Sequence, residues 1–473
     1  MELGEFSNDY LLLNPEKATL FDFVRILCFP SYSLKQRDFI DIQEPANLSG
    51  LLRRWLLFVS LVVQKLCIKI KTPITLIGDV IETWLNLVSS NNGVGYLLLN
   101  FLSGKVILAS DPSSAKFASV NAYIDTRVKL DEQIKNTDVK YRPALSVMAS
   151  KLSYENEAYI QNVVQNVWGE MEYLGFFNCW DDHLEKSATQ AMMFKDTSTT
   201  PNTIVIAFRG TSPFDTDDWR ADVDFSWFDL NGLGKVHGGF MKALGLQKGT
   251  GWPKEIPMGP TDKHYAYYDI RQKLRDLLKE NDTSKFIVTG HSLGGALAIL
   301  FAGILMFHEE NDLLKRLDGV YTFGQPRVGD KKFGEYMVTN MFKYNVGYFR
   351  FVYCNDVVPR MPYDGKTLLF KHFGRCLYFN SWYEGEILAE EPNKNYFSPL
   401  WTLPMAFNAI WELIRSFLLP LTMGEEYEES WLCRFLRSIA ILFPGLADHS
   451  LQDYDNVTRL GTLQLLQHTD KDD

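Results

Sequence analysis

The sequence predicts an α/β fold with a mostly parallel central sheet, and two observations support this. Short runs rich in apolar and β-branched residues have the length and composition of buried strands. Long helical patterns alternate with these runs, as expected when helices cover both faces of a parallel sheet. The predicted strands are 203–208, 285–289, 319–323 and 348–354, and the helical patterns between them include 265–280 and 292–307.

The composition is that of a globular protein with a large core. Of the 473 residues, 46% are hydrophobic and 22% are charged. The net charge of −10 and the lack of a basic stripe argue against nucleic acid as a partner. The six scattered cysteines form no CxxC pair, which indicates a reduced, intracellular protein, although their even number leaves disulfides open. No metal and no cofactor is predicted, because no cluster has metal-ligand spacing.

The first 140 residues predict a helical region ahead of the α/β domain, which we assign to 141–473. The stretch 51–102 is unusually apolar, and five basic residues surround its first apolar run. A membrane-spanning helix needs about 20 predominantly apolar residues, and neither apolar run reaches that length without interruption. Two interpretations remain open: a segment lying on an anionic membrane or droplet surface, which we favour, and a buried helical hairpin.

The start of the chain does not resemble a secretory signal. Residues 1–14 carry Glu2, Glu5 and Asp9 and only a short apolar triplet. A signal peptide needs a basic start followed by an apolar run. We therefore expect that the protein is not secreted by the usual route.

Residues 290–294 read G-H-S-L-G and match the motif G-x-S-x-G. A predicted strand runs directly into the motif, and a helix of small and apolar residues follows it. In α/β-hydrolases this strand–turn–helix setting exposes a nucleophilic serine at the edge of the sheet. Side chains at Gly290 and Gly294 would collide as the helix folds back on the strand. We therefore predict an α/β-hydrolase fold with Ser292 as nucleophile and Gly290, His291 and Gly294 in the turn.

A nucleophilic serine needs two preorganised N–H groups to hold the negative charge that develops on the carbonyl oxygen. One is expected from Leu293, the residue after the nucleophile, and the other from a loop after a neighbouring strand. Thr211, in the sequence R-G-T after strand 203–208, has the right position for the second. The next segment, 212–219, fits either a mobile flap over the site or a fixed loop whose acids cap the following helix.

The serine also needs a base, and the base needs an orienting carboxylate, in the chain order Ser, acid, His. Asp356 follows the predicted strand 348–354 and is the preferred acid. Asp330 is the alternative, although its position suits a helix cap better. The residues alone favour His449 over His372 as the base without deciding between them. Two more histidines follow the serine and are set aside for their positions, His308 on the helix after the motif and His468 near the end of the chain.

Five motifs occur in a fixed order along the chain, at 208–211, 236–240, 290–295, 324–330 and 355–359. Together they resemble the class 3 lipase family, whose familiar members are fungal triacylglycerol lipases. The resemblance covers roughly 143–460. It implies a serine hydrolase with Ser292 as nucleophile, Asp356 as acid and Thr211 as the oxyanion residue. The family's base lies in a late Asp-His pair followed by an aromatic residue, which is similar to Asp448-His449 with Tyr454, so the resemblance implies His449 as the base.

The chain departs from the compact fungal pattern by its N-terminal extension and by an apolar insertion at 385–447. In both respects it resembles plant oil-body lipases, which hydrolyse storage triacylglycerol at the droplet surface. Within the insertion, 431–443 has apolar residues at helical spacing with Arg434 and Arg437 on another face, and 396–421 is apolar but interrupted by prolines and charges. Such segments suit a lipid monolayer or the roof of an acyl pocket, and a buried core is the alternative. The resemblance thus implies triacylglycerol as substrate and a peripheral location on a lipid droplet or an intracellular membrane.

Other functions remain open at the level of sequence. A phospholipase or galactolipase of the same fold would carry the same motifs. An acyltransferase would replace water with an alcohol. A catalytically silent, lipase-like signalling scaffold is the alternative outside enzymes, and the intact Ser, Asp and His set argues against it.

Overall fold

The structure, a computed structural model, describes most of residues 7–462. The residues left out are 1–6, 30–33, 35–36, 44–49, 106, 108, 183, 246–251, 257–262, 281–282, 363–369, 394–395, 397–398 and 463–473, together with the side chains at positions 7, 8, 222 and 399.

An eight-stranded sheet forms the centre of the α/β domain, with strand order β12-β11-β10-β9-β8-β5-β4-β3. The five strands β5, β8, β9, β10 and β11 are parallel neighbours, and antiparallel strands complete both edges. The strands of this sheet are β3 (Met171–Asp181), β4 (Lys186–Asp196), β5 (Thr203–Phe208), β8 (Lys285–His291), β9 (Leu317–Phe323), β10 (Gly347–Tyr353), β11 (Cys376–Phe379) and β12 (Gly385–Leu388).

The four predicted strands are confirmed as β5, β8, β9 and β10, which lie side by side in the middle of the sheet. They were recognisable because strands buried on both faces read as continuous apolar runs. The hairpin of β3 and β4 and the edge strands β11 and β12 were not predicted. Most residues of β3 are half-exposed and several are polar, so its sequence lacks the continuous apolar signal.

Helices cover both faces of this sheet, which confirms the predicted α/β-hydrolase class. Neighbouring residues of β8 point to opposite faces, with Val288 in the core under α8, α9, α10 and α12 and Ile287 in the core under α5 and α15. The helices are α1 (Leu20–Cys28), α2 (Leu51–Ser90), α3 (Val94–Leu102), α4 (Val120–Ile124), α5 (Tyr141–Leu152), α6 (Glu157–Asn162), α7 (Thr216–Val223), α8 (Gly238–Leu244), α9 (Ala266–Glu280), α10 (Leu293–Phe307), α11 (Asn311–Leu314), α12 (Lys331–Tyr344), α13 (Pro399–Met423), α14 (Trp431–Ala440) and α15 (Leu451–Leu460).

The N-terminal region contributes strands as well as the predicted helices. A second sheet has the order β2-β1-β6-β7 and joins β1 (Ser7–Leu13) and β2 (Ile40–Ile42) to β6 (Trp227–Leu230) and β7 (Gly234–His237). The 40-residue helix α2 runs without a break through Pro73, so the two apolar runs expected in this stretch belong to one helix and not to a hairpin. Across the described residues, every helix is too short or too polar to cross a membrane.

The apolar insertion forms α13 and α14, whose arginines point inward. The predicted separation of faces on α14 is confirmed, but its polar face is the buried one. The Arg437 guanidinium lies 2.6 Å from Glu429 Oε2, 3.0 Å from Asp453 Oδ1 and 3.3 Å from Glu412 Oε2, and all four side chains are buried. The apolar face of α14 is therefore left exposed, which reverses the usual orientation of a surface helix.

We expect Arg437→Ala to lower the free energy of unfolding by about 3–5 kcal/mol, because it leaves the Glu429 carboxylate buried without its cation and leaves Asp453 with Arg415 alone. Urea denaturation followed by circular dichroism measures the change. Lys331→Ala is the control, since Lys331 and Glu335 form an exposed ion pair at 3.3 Å, and its removal should change stability by less than about 0.5 kcal/mol. Equal effects of the two substitutions would contradict this account of the insertion.

Candidate active site

Ser292 sits on the sharp turn between β8 and α10, where the sequence placed a nucleophile. Its backbone has a φ of 57° and a ψ of −131°, a conformation that non-glycine residues rarely adopt. A Cβ at Gly290 would collide with the backbone of Gly294, and a Cβ at Gly294 would collide with the carbonyl oxygen of Phe208. Both glycines are therefore needed for the helix to fold back so closely on the strand.

Asp356 and His449 form a hydrogen-bonded pair although 93 residues separate them. His449 Nδ1 lies 2.8 Å from Asp356 Oδ2 and 3.0 Å from Oδ1. Asp356 is fully buried in the turn after β10, and His449 ends a short 3₁₀ turn before α15. Because the carboxylate accepts the Nδ1 proton, Nε2 of His449 is the ring nitrogen left to act as an acceptor.

Two further donors orient the Asp356 carboxylate. The hydroxyl of Tyr454 donates to Oδ2 over 2.5 Å, and the backbone N–H of Val358 donates to Oδ1 over 2.9 Å. Burial and, secondarily, the neighbouring Asp356 raise the pKa of Tyr454 well above its usual value, so its hydroxyl stays protonated and keeps donating. These two hydrogen bonds thus fix the orientation of the carboxylate independently of the imidazole.

Ser292 and His449 line one cavity of about 490 Å³. The backbone N–H of Ser292 donates to the carbonyl of Phe323 over 2.9 Å. The next residue, Gly324, has a φ of +60°, and a Cβ there would lie 2.8 Å from His449 Cε1. Residues 323 and 324 therefore set the distance between Ser292 and the imidazole of His449. The rest of the wall is mainly apolar and includes Val357, Met361, Leu436, Ile439, Leu446 and Leu451.

A second histidine, His291, forms a hydrogen bond to the backbone of His449. The side chain of His291 lies between the Tyr154 hydroxyl, 2.9 Å from Nδ1, and the carbonyl oxygen of His449, 2.9 Å from Nε2. A carbonyl only accepts, so Nε2 of His291 carries the proton and Nδ1 accepts from Tyr154. Burial and, secondarily, His449 lower the pKa of His291 well below its usual value, so this ring stays neutral. The sequence placed His291 in the turn but gave no signal for Tyr154.

The two residues predicted to hold an oxyanion lie at the same site. Thr211 lines the cavity beside Ser292, in the loop that follows β5. Leu293 is the first residue of α10, so its N–H belongs to the first turn, where amides have no acceptor within the helix. A helix N-terminus also favours negative charge.

The loop after Thr211 matches the second of its two interpretations, in which its acids cap the next helix. The Asp215 carboxylate accepts from the N–H groups of Asp217 and Asp218 at the start of α7. Asp218 in turn accepts from the N–H of Ser212 over 3.0 Å. α2 lies across α7, where the Ser60 hydroxyl donates to the carbonyl of Val223 over 2.6 Å.

The alternative acid and bases lie apart from this arrangement. Asp330 caps α12 by accepting from the N–H of Phe333 over 2.9 Å, as predicted. His372 Nε2 lies 2.7 Å from the carbonyl of Pro359, and burial lowers the pKa of His372 well below its usual value. His308 hydrogen-bonds to the carbonyl of Trp252. His468 lies outside the described residues.

One buried group among the described residues brings three metal-type ligands together, with Cys354 Sγ and carboxylate oxygens of Glu412 and Asp448 within 4.8 Å of one another. Hydrogen bonds already occupy these atoms. Asn355 N–H donates to Asp448 over 2.8 Å, Tyr353 donates to Glu412 over 3.0 Å, and an asparagine amide faces Cys354 Sγ at 3.1 Å. We therefore interpret the group as part of a hydrogen-bond network.

Comparison with known proteins agrees with these motifs. The family model described as Lipase (class 3) matches residues 205–366. The chain is 40% identical to triacylglycerol lipase OBL1 of Nicotiana tabacum over 88% of this chain and 84% of that protein. It is 37% identical to triacylglycerol lipase OBL1 of Arabidopsis thaliana over 98% and 97% of the two chains. Among solved structures, the triacylglyceride lipase of Rhizomucor miehei is 25% identical, with a TM-score of 0.38, over 52% of this chain and 82% of that one.

We expect Tyr454→Phe to slow the reaction of Ser292 with a phosphonate ester about tenfold, because the Asp356 carboxylate loses a hydrogen bond worth about 1.5 kcal/mol. The rate is measured by labelling with a fluorescent fluorophosphonate and quenching the reaction at successive times. Tyr173→Phe is the matched control, since its hydroxyl donates to an exposed carboxylate, that of Glu157, over 3.0 Å. An unchanged rate in Tyr454→Phe would mean that this hydroxyl does not orient the acid.

Proposed function

The chain belongs to the class 3 lipase family, and from this premise we propose that it is a triacylglycerol lipase that acts through Ser292, Asp356 and His449. The relatives that carry the name triacylglycerol lipase match nearly the whole chain, including its N-terminal region and its insertion. The observation that carries the proposal is the hydrogen bond from His449 to the buried Asp356, because His449 also lines a mainly apolar cavity together with Ser292.

The cavity supports an acyl ester as the substrate. Its volume of about 490 Å³ falls in the range of ligand pockets, and its walls are mainly aliphatic side chains. A fatty acyl chain gains free energy by leaving water for such a surface. The polar groups in the wall include Ser292, His449 and Thr211, and an ester carbonyl would have to lie beside these three.

In the proposed reaction, Ser292 Oγ attacks the ester carbonyl carbon while its proton passes to His449 Nε2. Asp356 stabilises the resulting imidazolium, and the N–H groups of Thr211 and Leu293 hold the oxyanion. His449 then gives the proton to the departing glycerol oxygen as the ester bond breaks. Water attacks the acyl-enzyme in the same way, with its proton taken up by His449, and the fatty acid leaves as Ser292 regains its hydrogen.

Three other functions remain to be separated from this proposal by assay. A phospholipase or galactolipase would prefer phosphatidylcholine or galactolipid over triolein at equal surface concentration. An acyltransferase would form a new ester when an alcohol acceptor is added. A signalling scaffold without turnover would release no fatty acid and would not react with fluorophosphonate.

We also propose that the protein works at the surface of a lipid droplet or an intracellular membrane. Most of the exposed large hydrophobic side chains among the described residues lie on the N-terminal helices α1 to α3 and on the insertion, within 400–446. On α14 and the turn after it, Trp431, Phe435, Leu442 and Phe443 are 60–76% exposed. Leu436 and Ile439 on the same helix line the cavity, so a lipid surface in contact with α14 would lie next to Ser292.

The division into a lipid-associating region at 1–140 and a hydrolase domain at 141–473 is part of this proposal. β1 pairs with β6 of the hydrolase domain, and Leu57 and Leu61 of α2 share a buried cluster with Trp227. Removal of the region would therefore break a sheet and expose part of a core. Substitutions on exposed faces test lipid association more cleanly than a deletion does.

We expect Ser292→Ala and His449→Ala each to lower triolein hydrolysis by at least about 10³-fold, because residues of a triad act as one unit. His372→Ala, which changes a histidine outside the cavity, should retain most of the activity. Fatty acid release from emulsified triolein and from phosphatidylcholine measures both the loss and the substrate preference. Activity retained in His449→Ala and lost in His372→Ala would overturn the assignment of the base.

We expect the combined change of Trp431, Phe435, Leu442 and Phe443 to serine to weaken binding to triolein droplets at least about tenfold, because a large apolar contact with lipid is lost. Hydrolysis of the soluble ester p-nitrophenyl butyrate should change little. Droplet flotation and the two activities measure this. Phe342→Ser is the control, since Phe342 is 81% exposed on α12. Equal flotation of wild type and the fourfold variant would contradict α14 as a lipid contact.

A further inference from the structure

We propose that Asp448, paired with Glu412 of the insertion, is a positioning residue that holds the acid and the base of the active site together on the side away from the cavity. The inference rests on the proposed function and adds a residue to it. It also gives the apolar insertion a direct connection to the catalytic histidine.

Asp448 joins the two backbone segments that carry the acid and the base. It directly precedes His449, and its Oδ2 accepts from the backbone N–H of Asn355 over 2.8 Å. Asn355 directly precedes Asp356. The 3₁₀ turn of His449 and the turn after β10 are therefore tied twice, once by the imidazole and carboxylate at the cavity and once by Asp448 on the other side. Loss of the second tie would leave the catalytic hydrogen bond, together with the hydrogen bond from Tyr454 to Asp356, to hold the two segments in register.

Glu412 holds the Asp448 carboxyl from the side opposite the Asn355 N–H. The two carboxyl groups belong to the cluster in which ligand atoms lie within 4.8 Å of one another, and Asp448 and Glu412 are only 2% and 1% exposed. Glu412 is itself fixed, since its oxygens accept from the Tyr353 hydroxyl over 3.0 Å and from Arg437 over 3.3 Å. A second negative charge is disfavoured this close to Glu412, so the proton stays on Asp448, which shares it with Glu412 through a hydrogen bond. Burial and, secondarily, Glu412 raise the pKa of Asp448 well above its usual value, in agreement with this.

The groups around Asp448 do not neutralise a second charge. Acidic or neutral titratable groups reach it from the β10 end, the insertion, β11 and α15, and these are Cys354, Glu412, Tyr396, Tyr378 and Asp453. Two guanidinium groups lie nearby: that of Arg437 is shared among Glu412, Glu429 and Asp453, and that of Arg415 is shared between Asp453 and the Tyr353 hydroxyl. Arg360 bonds to the backbone carbonyls of Cys354 and Pro392. Ionisation of Asp448 would therefore place a negative charge directly against Glu412.

This arrangement predicts the direction in which pH changes the turnover rate and the stability. Below the raised pKa of Asp448, the shared proton holds the pair together and His449 stays aligned. As pH rises through that value, the proton is lost, the carboxylates repel each other, and the turnover rate falls. Because the folded protein keeps a proton that the unfolded chain loses near pH 4, stability also falls as pH rises above about 4, up to the pKa of the folded state.

The test compares Asp448→Ala, Asp448→Asn and Glu412→Gln on soluble p-nitrophenyl butyrate, so that lipid binding does not enter. Asp448→Ala should lower kcat about tenfold or more with little change in KM, because a small displacement of a catalytic group is costly. Asp448→Asn keeps an acceptor for Asn355 and a donor for Glu412. It should retain kcat within about threefold and, like Glu412→Gln, should move the alkaline limb of the pH profile upward. Asp330→Asn is the control, since asparagine also caps a helix and the limb should not move.

The outcomes separate this inference from the proposed function. If wild type hydrolyses no ester but Ser292 still reacts with fluorophosphonate, the proposed function fails, and labelling rates still report the positioning. A wild-type kcat in Asp448→Ala would overturn the positioning role. An alkaline limb that stays unchanged in both Asp448→Asn and Glu412→Gln would overturn the shared proton, even if Asp448→Ala does not fold.

Discussion

The hydrogen bond between Asp356 and His449 is the constraint on which the rest of the structure depends. It joins segments 93 residues apart, and it can act on Ser292 only if β10 and β8, which are separated by β9, end at the same edge of the sheet. The parallel strands meet this condition, because their carboxyl ends share one edge where catalytic groups collect. Gly324, Tyr454 and Asp448 then act on the same bond from different sides. Gly324 sets the distance between the imidazole and Ser292. Tyr454 orients the Asp356 carboxylate, and Asp448 links the backbone segments that carry Asp356 and His449.

The insertion obeys a second constraint, because it must be anchored to the hydrolase domain and still leave an apolar surface outside. α14 meets both needs by turning its arginines inward onto buried carboxylates of α13 and α15. A buried ion network contributes less to stability than an apolar core of equal volume, but it leaves the tryptophan and phenylalanine side chains of α14 free to meet lipid. The same carboxylates reach Asp448, so the element proposed to touch the droplet and the histidine proposed to do the chemistry share one polar network.

Features encoded by local sequence were predictable, and features that depend on distant partners were not. The glycines at 290 and 294 and the apolar runs of β5, β8, β9 and β10 carry their own signals, so the turn and the centre of the sheet followed from sequence. The choice of His449 over His372 needed the family resemblance, because both histidines follow Ser292 and Asp356 in the chain order that a triad requires. The roles of Tyr154 and Asp448 depend on contacts between segments far apart in the chain. The hairpin of β3 and β4 is local but was missed because most of β3 is only half-buried. The inward face of α14 was missed because amphipathic spacing fixes two faces but not which one is buried.

A crystal structure of the protein inhibited with a long-chain alkyl phosphonate is the most direct test of the catalytic arrangement. We expect phosphorus bound to Ser292 Oγ, the phosphoryl oxygen within about 3 Å of the Thr211 and Leu293 amides, and the alkyl chain in the apolar cavity. His449 should keep Nδ1 on Asp356 and turn Nε2 toward the leaving-group side. Phosphorus on another side chain, or an imidazole other than that of His449 beside Ser292, would contradict the account.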